Sequence, residues 1–266
     1  MSSKETMGKT FTVAVLLCLV CSIIVAGSVV ILKPTQQENK ALNLQANILA
    51  AAGLLPAGAD KTAIQEAFKK IDARIVDLDT GEYAEPDRVN KENALDYDQR
   101  KAQKDPKLSK AIAGSEDIAS IKRRVDYAKV YLVREGDEIK TIILPVSGYG
   151  LWSTLHGFLA LEADANTVVG FGFYEHAETP GLGGEVDNPN WKAQWPGKKV
   201  YDLDASEAPK IALLKGAVDR SNPEAEYQID GLSGATLTSR GVTNLVQYWT
   251  GEHGFQKYLQ KLRQGV

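Results

Sequence analysis

The chain has 266 residues, with 31 Lys and Arg against 34 Asp and Glu and a formal net charge of -3. That length holds one large domain or two small ones. Lys4, Lys9 and Lys33 outweigh Glu5 at the N-terminus, so the body is more acidic than the total, which argues against nucleic acid as a partner because phosphate neutralisation needs clustered Lys and Arg.

Residues 1–9 read as a short tail. Residues 10–32 form an uncharged run rich in Val, Leu and Ile, which meets the roughly 20 apolar residues a spanning helix needs. A cleaved signal peptide has an apolar core of about 7–15 residues before a small-residue site. Ala26-Gly27-Ser28 offers such a site, but Val29-Val30-Ile31-Leu32 carries the run past it. The span is therefore read as an uncleaved transmembrane helix lying in membrane lipid. Lys4 and Lys9 before it and Lys33 and Lys40 after it nearly balance, so the flanks alone do not orient it. Cys18 and Cys21 lie inside the span. Their spacing suits a redox pair or half a metal site, but no other cysteine completes one, and the preferred reading is two small apolar residues on a membrane helix.

Residues 33–115 are expected to form a helical and mixed N-terminal part of the soluble domain, and residues 116–266 its main part. Residues 36–55 read as a helix leaving the membrane, broken at Pro56-Ala57-Gly58. Asp60 is placed to cap a second helix carrying Ile64, Ala67 and Phe68 at helical spacing. Residues 74–78 read as a strand closed by the Asp79-Thr80-Gly81 turn. Residues 82–106 are polar and dense in both charges, which predicts a solvated surface excursion. Two β-branched pairs follow, residues 125–134 with 138–146 and residues 154–162 with 167–176, each joined by a turn sequence. Four strands in two hairpins, flanked by helices, predict an α+β fold with an antiparallel sheet, preceded by one N-terminal transmembrane helix.

Two segments between these elements are unusual. Gly148-Tyr149-Gly150-Leu151-Trp152 joins the hairpins and suits either a plain chain reversal or a site wall. Glu178-Thr179-Pro180-Gly181-Leu182-Gly183-Gly184 follows the last strand, and its backbone N–H groups and short side chains suit a polar planar ligand. Gly181-x-Gly183 lacks the third glycine and the flanking strand and helix of a dinucleotide fingerprint. Trp191 and Trp195 read as packing residues. Residues 210–218 read as a further strand, and Lys215 within it is either a cation for a bound anion or simply solvated.

The chain is organised around Asp230-Gly231-Leu232-Ser233-Gly234-Ala235-Thr236-Leu237-Thr238-Ser239. Four small residues in a row leave the backbone open to close approach. Thr238 and Ser239 read as hydroxyl caps of an amphipathic helix carrying Val242, Leu245, Val246 and Trp249. A helix N-terminus favours phosphate, and Thr236 places a hydroxyl there. Metal chemistry is poorly supported, because His156, His176 and His253 share no ligand spacing. Ser233 has no G-x-S-x-G elbow around it for a hydrolase. Residue chemistry alone ends at a membrane-anchored domain with a phosphate-bearing ligand.

Asp230-Gly231-x-Ser233-Gly234-Ala235-Thr236-x-Thr238 resembles the flavinylation motif of the FMN-binding domain family. His176-x-Glu178-Thr179-Pro180-Gly181-Leu182-Gly183 is similar to a second motif of its respiratory members. Gly150-Leu151-Trp152-Ser153-Thr154, Gly157-Phe158-Leu159-Ala160-Leu161 and Val76-Asp77-Leu78-Asp79-Thr80-Gly81 resemble, more narrowly, the family of C-type subunits of Na⁺-translocating NADH:quinone oxidoreductases. The resemblance implies one FMN, joined to Thr236 by a phosphoester bond that a flavin transferase makes. It also implies an electron carrier within a complex of six subunits, not catalytic alone. The FMN domain, residues 116–266, would stand on the periplasmic side of a bacterial inner membrane. Glu178, Thr179, Leu182 and Gly183 are then expected to flank the isoalloxazine ring. Lys215 and the helix N-terminus would offset negative charge, and Asp230 would organise the attachment loop of Gly231, Ser233, Gly234, Ala235 and Thr238. The alternatives are a G-type flavoprotein of an Rnf-type ferredoxin:NAD⁺ complex, typically shorter and without the excursion near residues 82–115, and a non-redox membrane-tethered module holding a phosphorylated ligand.

Overall fold

The computed structural model of the protein describes residues 7–265. They fall into two compact units divided between Asn43 and Leu44. The first unit is part of helix α1 (Met7–Ala51), which runs unbroken through Pro34. Val, Leu and Ile side chains along its first half are exposed, and the helix is long and apolar enough to cross a membrane. Cys18 and Cys21 are free and exposed on it.

In the second unit, Asp60 caps α2 (Lys61–Phe68) by accepting the Ala63 N–H at 2.8 Å, as its position suggested. Strand β1 (Ile71–Asp77) turns at Gly81, where φ is +74°, into the short β2 (Tyr83–Ala84). Helix α3 (Gln99–Ala102) and the small pair β3 (Ser109–Ala111) and β4 (Arg123–Val125) lead to β5 (Tyr127–Glu135). Then come β6 (Glu138–Tyr149), β7 (Thr154–Glu162) and β8 (Val168–Glu175). Helix α4 (Pro189–Lys192), β9 (Ala212–Leu213), β10 (Gln228–Ile229), α5 (Thr236–Thr250) and α6 (Gln256–Arg263) complete the chain.

The main sheet has six strands in the order β2-β1-β5-β6-β7-β8, and every neighbouring pair is antiparallel. Both expected hairpins are present, and β1 adds to them by pairing Ile71 with Val133 through Asp77 with Tyr127. Alternation along β6 separates two faces. Ile142, Leu144 and Val146 join the main core with Leu132, Leu159 and Leu161, and α5 supplies Val242, Leu245, Val246 and Trp249 to the same core. Each such fully buried aliphatic side chain is worth about 2 kcal/mol. The other face holds buried Tyr131, Ile143 and Phe158, with the Phe68 ring 6.4 Å from that of Tyr131 and the Ala51 carbonyl backed against Gly170.

Three expectations are corrected. Residues 82–106 are not a solvated excursion: Val89, Ala94, Tyr97 and Ala102 are buried in the main core, and Arg100 holds Glu175 through two hydrogen bonds of 2.7 and 2.8 Å. Sparse apolar residues spaced among charges anchor the segment without any periodic pattern to reveal it. Residues 210–218 contain only the two-residue β9, which pairs in parallel with β10. Thr238 and Ser239 do not cap α5, which starts at Thr236 with no side-chain cap.

Candidate functional site

Helix α5 is fixed over β6 by close backbone approach. A Cβ on Gly148 would collide with Leu245, and one on Gly241 with the Tyr149 carbonyl. The Trp249 indole donates to the Ser147 carbonyl at 2.7 Å. This contact carries the first turn of α5 to the end of the sheet where the two glycine-rich segments leave it.

Glu178 joins these three pieces. Its Oε1 accepts the N–H groups of Trp152 at 3.0 Å and Ser153 at 3.2 Å, and Leu151 donates to both oxygens at 3.2 Å. Its Oε2 accepts the Thr238 hydroxyl at 2.7 Å. Glu178 is 5% exposed and Thr238 fully buried. Burial alone would raise the Glu178 carboxyl, but the Thr238 hydroxyl and the three backbone N–H groups outweigh it and hold the group below its ordinary range. Glycines make the room: a Cβ on Gly150 would lie 2.7 Å from Glu178 Oε1, and one on Gly183 2.6 Å from Thr238 Oγ1 and 2.7 Å from Glu178 Oε2. The 148–152 segment is thus a carboxylate cradle as well as a chain reversal.

The Glu178 carboxylate lies beneath the surface and ties the walls together. Thr179 is exposed, and its carbonyl accepts the N–H groups of Leu182 at 3.1 Å and Gly184 at 2.9 Å, closing the turn. Leu182 is 44% exposed and leans over Gly234, whose φ is +71° and whose Cβ would stand 3.0 Å from it. The second segment and the attachment loop are in this way neighbours. Gly183 is buried beneath them.

The loop itself is anchored from below. Asp230 accepts the Val218 N–H at 2.7 Å through Oδ1, and its carbonyl accepts the Trp191 indole at 2.9 Å. Gly231 donates to Gly216 at 2.9 Å. Ser239 accepts the Leu232 N–H at 3.0 Å and donates to Ala235 at 3.1 Å. Ala235 is buried, whereas Ser233, Gly234 and Thr236 are exposed. Thr236 is the first residue of α5, so its hydroxyl stands at an uncapped helix N-terminus, an electropositive and unhindered position. Lys215 is exposed just past β9.

Sequence reasoning missed the N–H groups of residues 151–153 and the locking role of Thr238, since neither is visible without knowing what Glu178 meets. It also passed over Leu237, which is 52% exposed beside Thr236; with Leu151, Trp152 and Leu182 it adds apolar surface to a polar loop. An exposed hydroxyl at an uncapped helix start fits a phosphate, and exposed apolar side chains nearby fit a flat aromatic ring.

The chain matches the family model described as FMN-binding domain over residues 150–251, a stretch that includes the cradle, Glu178 and Thr236. The C-type subunit of the Na(+)-translocating NADH-quinone reductase of Pseudomonas aeruginosa is 52% identical over 266 residues, covering 100% of this chain and 99% of that protein. The chain belongs to the family of C-type subunits of Na⁺-translocating NADH-quinone reductases. The Yersinia pestis member is 44% identical, covering 99% of this chain and 96% of that one. The crystal structure of Shewanella oneidensis NqrC superposes with a TM-score of 0.73 at 34% identity, covering 83% of this chain and 96% of that one. The Parabacteroides distasonis member, at 22% identity and a TM-score of 0.61, shows the same fold. Membership makes the chain the FMN-domain component of an oxidoreductase complex of several subunits, and its α+β fold with an antiparallel sheet is shared with the solved Shewanella oneidensis member.

Proposed function

We infer that this chain carries one FMN joined through a phosphoester to the Thr236 hydroxyl, and that it passes electrons between its neighbours in a Na⁺ pump of six subunits. The observation that carries this reading is the exposed Thr236 at an uncapped helix start, within a loop whose geometry is fixed by Asp230, Ser239 and the Glu178 clamp. Bound there, FMN supplies the redox chemistry. The protein's residues hold it and shape its surroundings: the first-turn N–H groups and Lys215 favour the phosphate, while Thr179, Leu182 and Gly183 border the ring. Thr236 is an attachment point, used once, and its activation as a nucleophile belongs to a separate flavin transferase. Covalent attachment removes the need for a deep pocket, which suits a carrier whose ring must be reached by other subunits.

Helix α1 would anchor the chain in lipid through residues 10–32, with the FMN domain on the periplasmic side of the inner membrane. The span has no charged residue, so this chain offers no ion route of its own, and coupling to Na⁺ falls to partner subunits. Denaturing electrophoresis under ultraviolet light tests the attachment: the chain co-expressed with its transferase should give a fluorescent band that Thr236→Ala abolishes. A band of undiminished intensity in Thr236→Ala removes this reading.

A further inference from the structure

Glu178 is itself held from behind. Its own N–H donates to His176 Nδ1 at 3.2 Å, and His176 Nε2 lies 2.7 Å from Asp187 Oδ2. An N–H directed at Nδ1 requires a lone pair there, so the ring is neutral, with its proton on Nε2 and donated to Asp187. Asp187 also pairs with Lys192 at 3.1 Å. Burial alone would raise the Asp187 carboxyl, but the bonds from His176 and Lys192 bring it below its ordinary range. Beside this pair, the Ala177 N–H donates to Ser153 Oγ at 2.7 Å, a second stitch to the cradle segment. The His176 side chain is 13% exposed.

We propose that His176 is a positioning residue: the lone pair on its Nδ1 fixes the Glu178 backbone so that the carboxylate seats in the cradle of residues 151–153. Glu178 is pinned on both sides, by its N–H at His176 and by its carboxylate at the cradle and Thr238, so the segment between strand β8 and the Leu182 turn has little slack. The charged groups around the ring are Asp187 and Lys192 from the following turn and α4, and Glu178 from its own loop; the preceding Glu175 is engaged by Arg100 of α3. The consequence for flavin loading rests on the FMN reading above, but the clamp itself can be observed without flavin.

The full-length protein, labelled with ¹⁵N-tryptophan and held in detergent without FMN, gives the direct readout, because the Trp152 amide is one of the donors to Glu178. At neutral pH, where Glu178 is ionised, the wild-type Trp152 amide resonance should report the carboxylate seated in its cradle. His176→Asn, whose Oδ1 supplies an acceptor near the Nδ1 position, should keep the wild-type resonance. His176→Gln, whose longer side chain reaches the Asp187 side, should shift that resonance. Loading of FMN should fall roughly threefold to tenfold in His176→Gln, the range of one hydrogen bond, and recover in His176→Asn. A Trp152 resonance indifferent to His176→Gln, or displaced equally in His176→Asn, overturns the proposal. If Trp152 responds as expected while no form accepts FMN, the clamp stands and the FMN reading fails.

Discussion

The Thr238 hydroxyl donates to the Glu178 carboxylate at 2.7 Å across 60 residues of sequence. Both groups are buried, and the bond links the start of α5, where Thr236 stands, to the wall built from residues 178–183. Thr238→Val keeps the shape and removes the donor. It should cost about 2 kcal/mol, the scale of a hydrogen bond to a charged group, whereas Thr238→Ser, which keeps the hydroxyl, should cost less. Thermal unfolding followed by near-ultraviolet circular dichroism measures both; equal costs would mean that the methyl group, not the bond, matters.

Acid should weaken the clamp in a defined direction. The folded carboxyl of Glu178 lies below the ordinary glutamate value of 4.5, so its contribution is fully present above that value and is lost as pH falls through the lower folded one. Glu178→Gln should be less stable at neutral pH and should lose less on acidification than the wild type. Parallel pH profiles of stability for the two proteins would contradict the assignment.

Gly183→Ala should act by crowding. The added carbon would stand 2.6 Å from Thr238 Oγ1 and 2.7 Å from Glu178 Oε2, and overpacking of this kind costs about 1–3 kcal/mol. The variant should also accept FMN more slowly, because it pushes apart the two groups that join the walls. Leu182→Ala, on the exposed side of the same turn, should change stability by less than about 0.5 kcal/mol while altering the flavin spectrum or potential. Unchanged flavin properties would take Leu182 out of the ring's surroundings.

The anchor should be separable. Deleting residues 1–33 removes the apolar run but leaves Ile48 and Leu49, both fully buried, and should give a soluble domain that still takes FMN. Deletion through residue 52 should unfold it, since two buried aliphatic side chains together contribute about 4 kcal/mol. Membrane association that persists in the shorter deletion would reveal a second lipid-binding surface.

Local patterns were legible and non-local pairings were not. Residues 154–162 form β7 as the paired runs and their turn sequence predicted, and Asp60 caps α2, because turn and capping chemistry lie in adjacent residues. The pairing of β1 with β5 joins segments separated by the whole 78–126 stretch, and no local signal reports it. Tyr97 is buried within a run of charges, its hydroxyl donating to the Tyr127 carbonyl at 2.8 Å; composition averaged it away. At the site, the small residues before Thr236 announced an open backbone. Thr238 looked like a cap because Ser and Thr near a helix start usually are caps, but its partner is Glu178 on a distant loop.

The mass of the full-length chain co-expressed with its flavin transferase tests the central claim most directly. An increment of one FMN is expected on the wild-type protein, mapped to the peptide containing Thr236, retained in Thr238→Ser and absent from Thr236→Ala. No increment on the wild type, or an FMN still attached to Thr236→Ala, would contradict it.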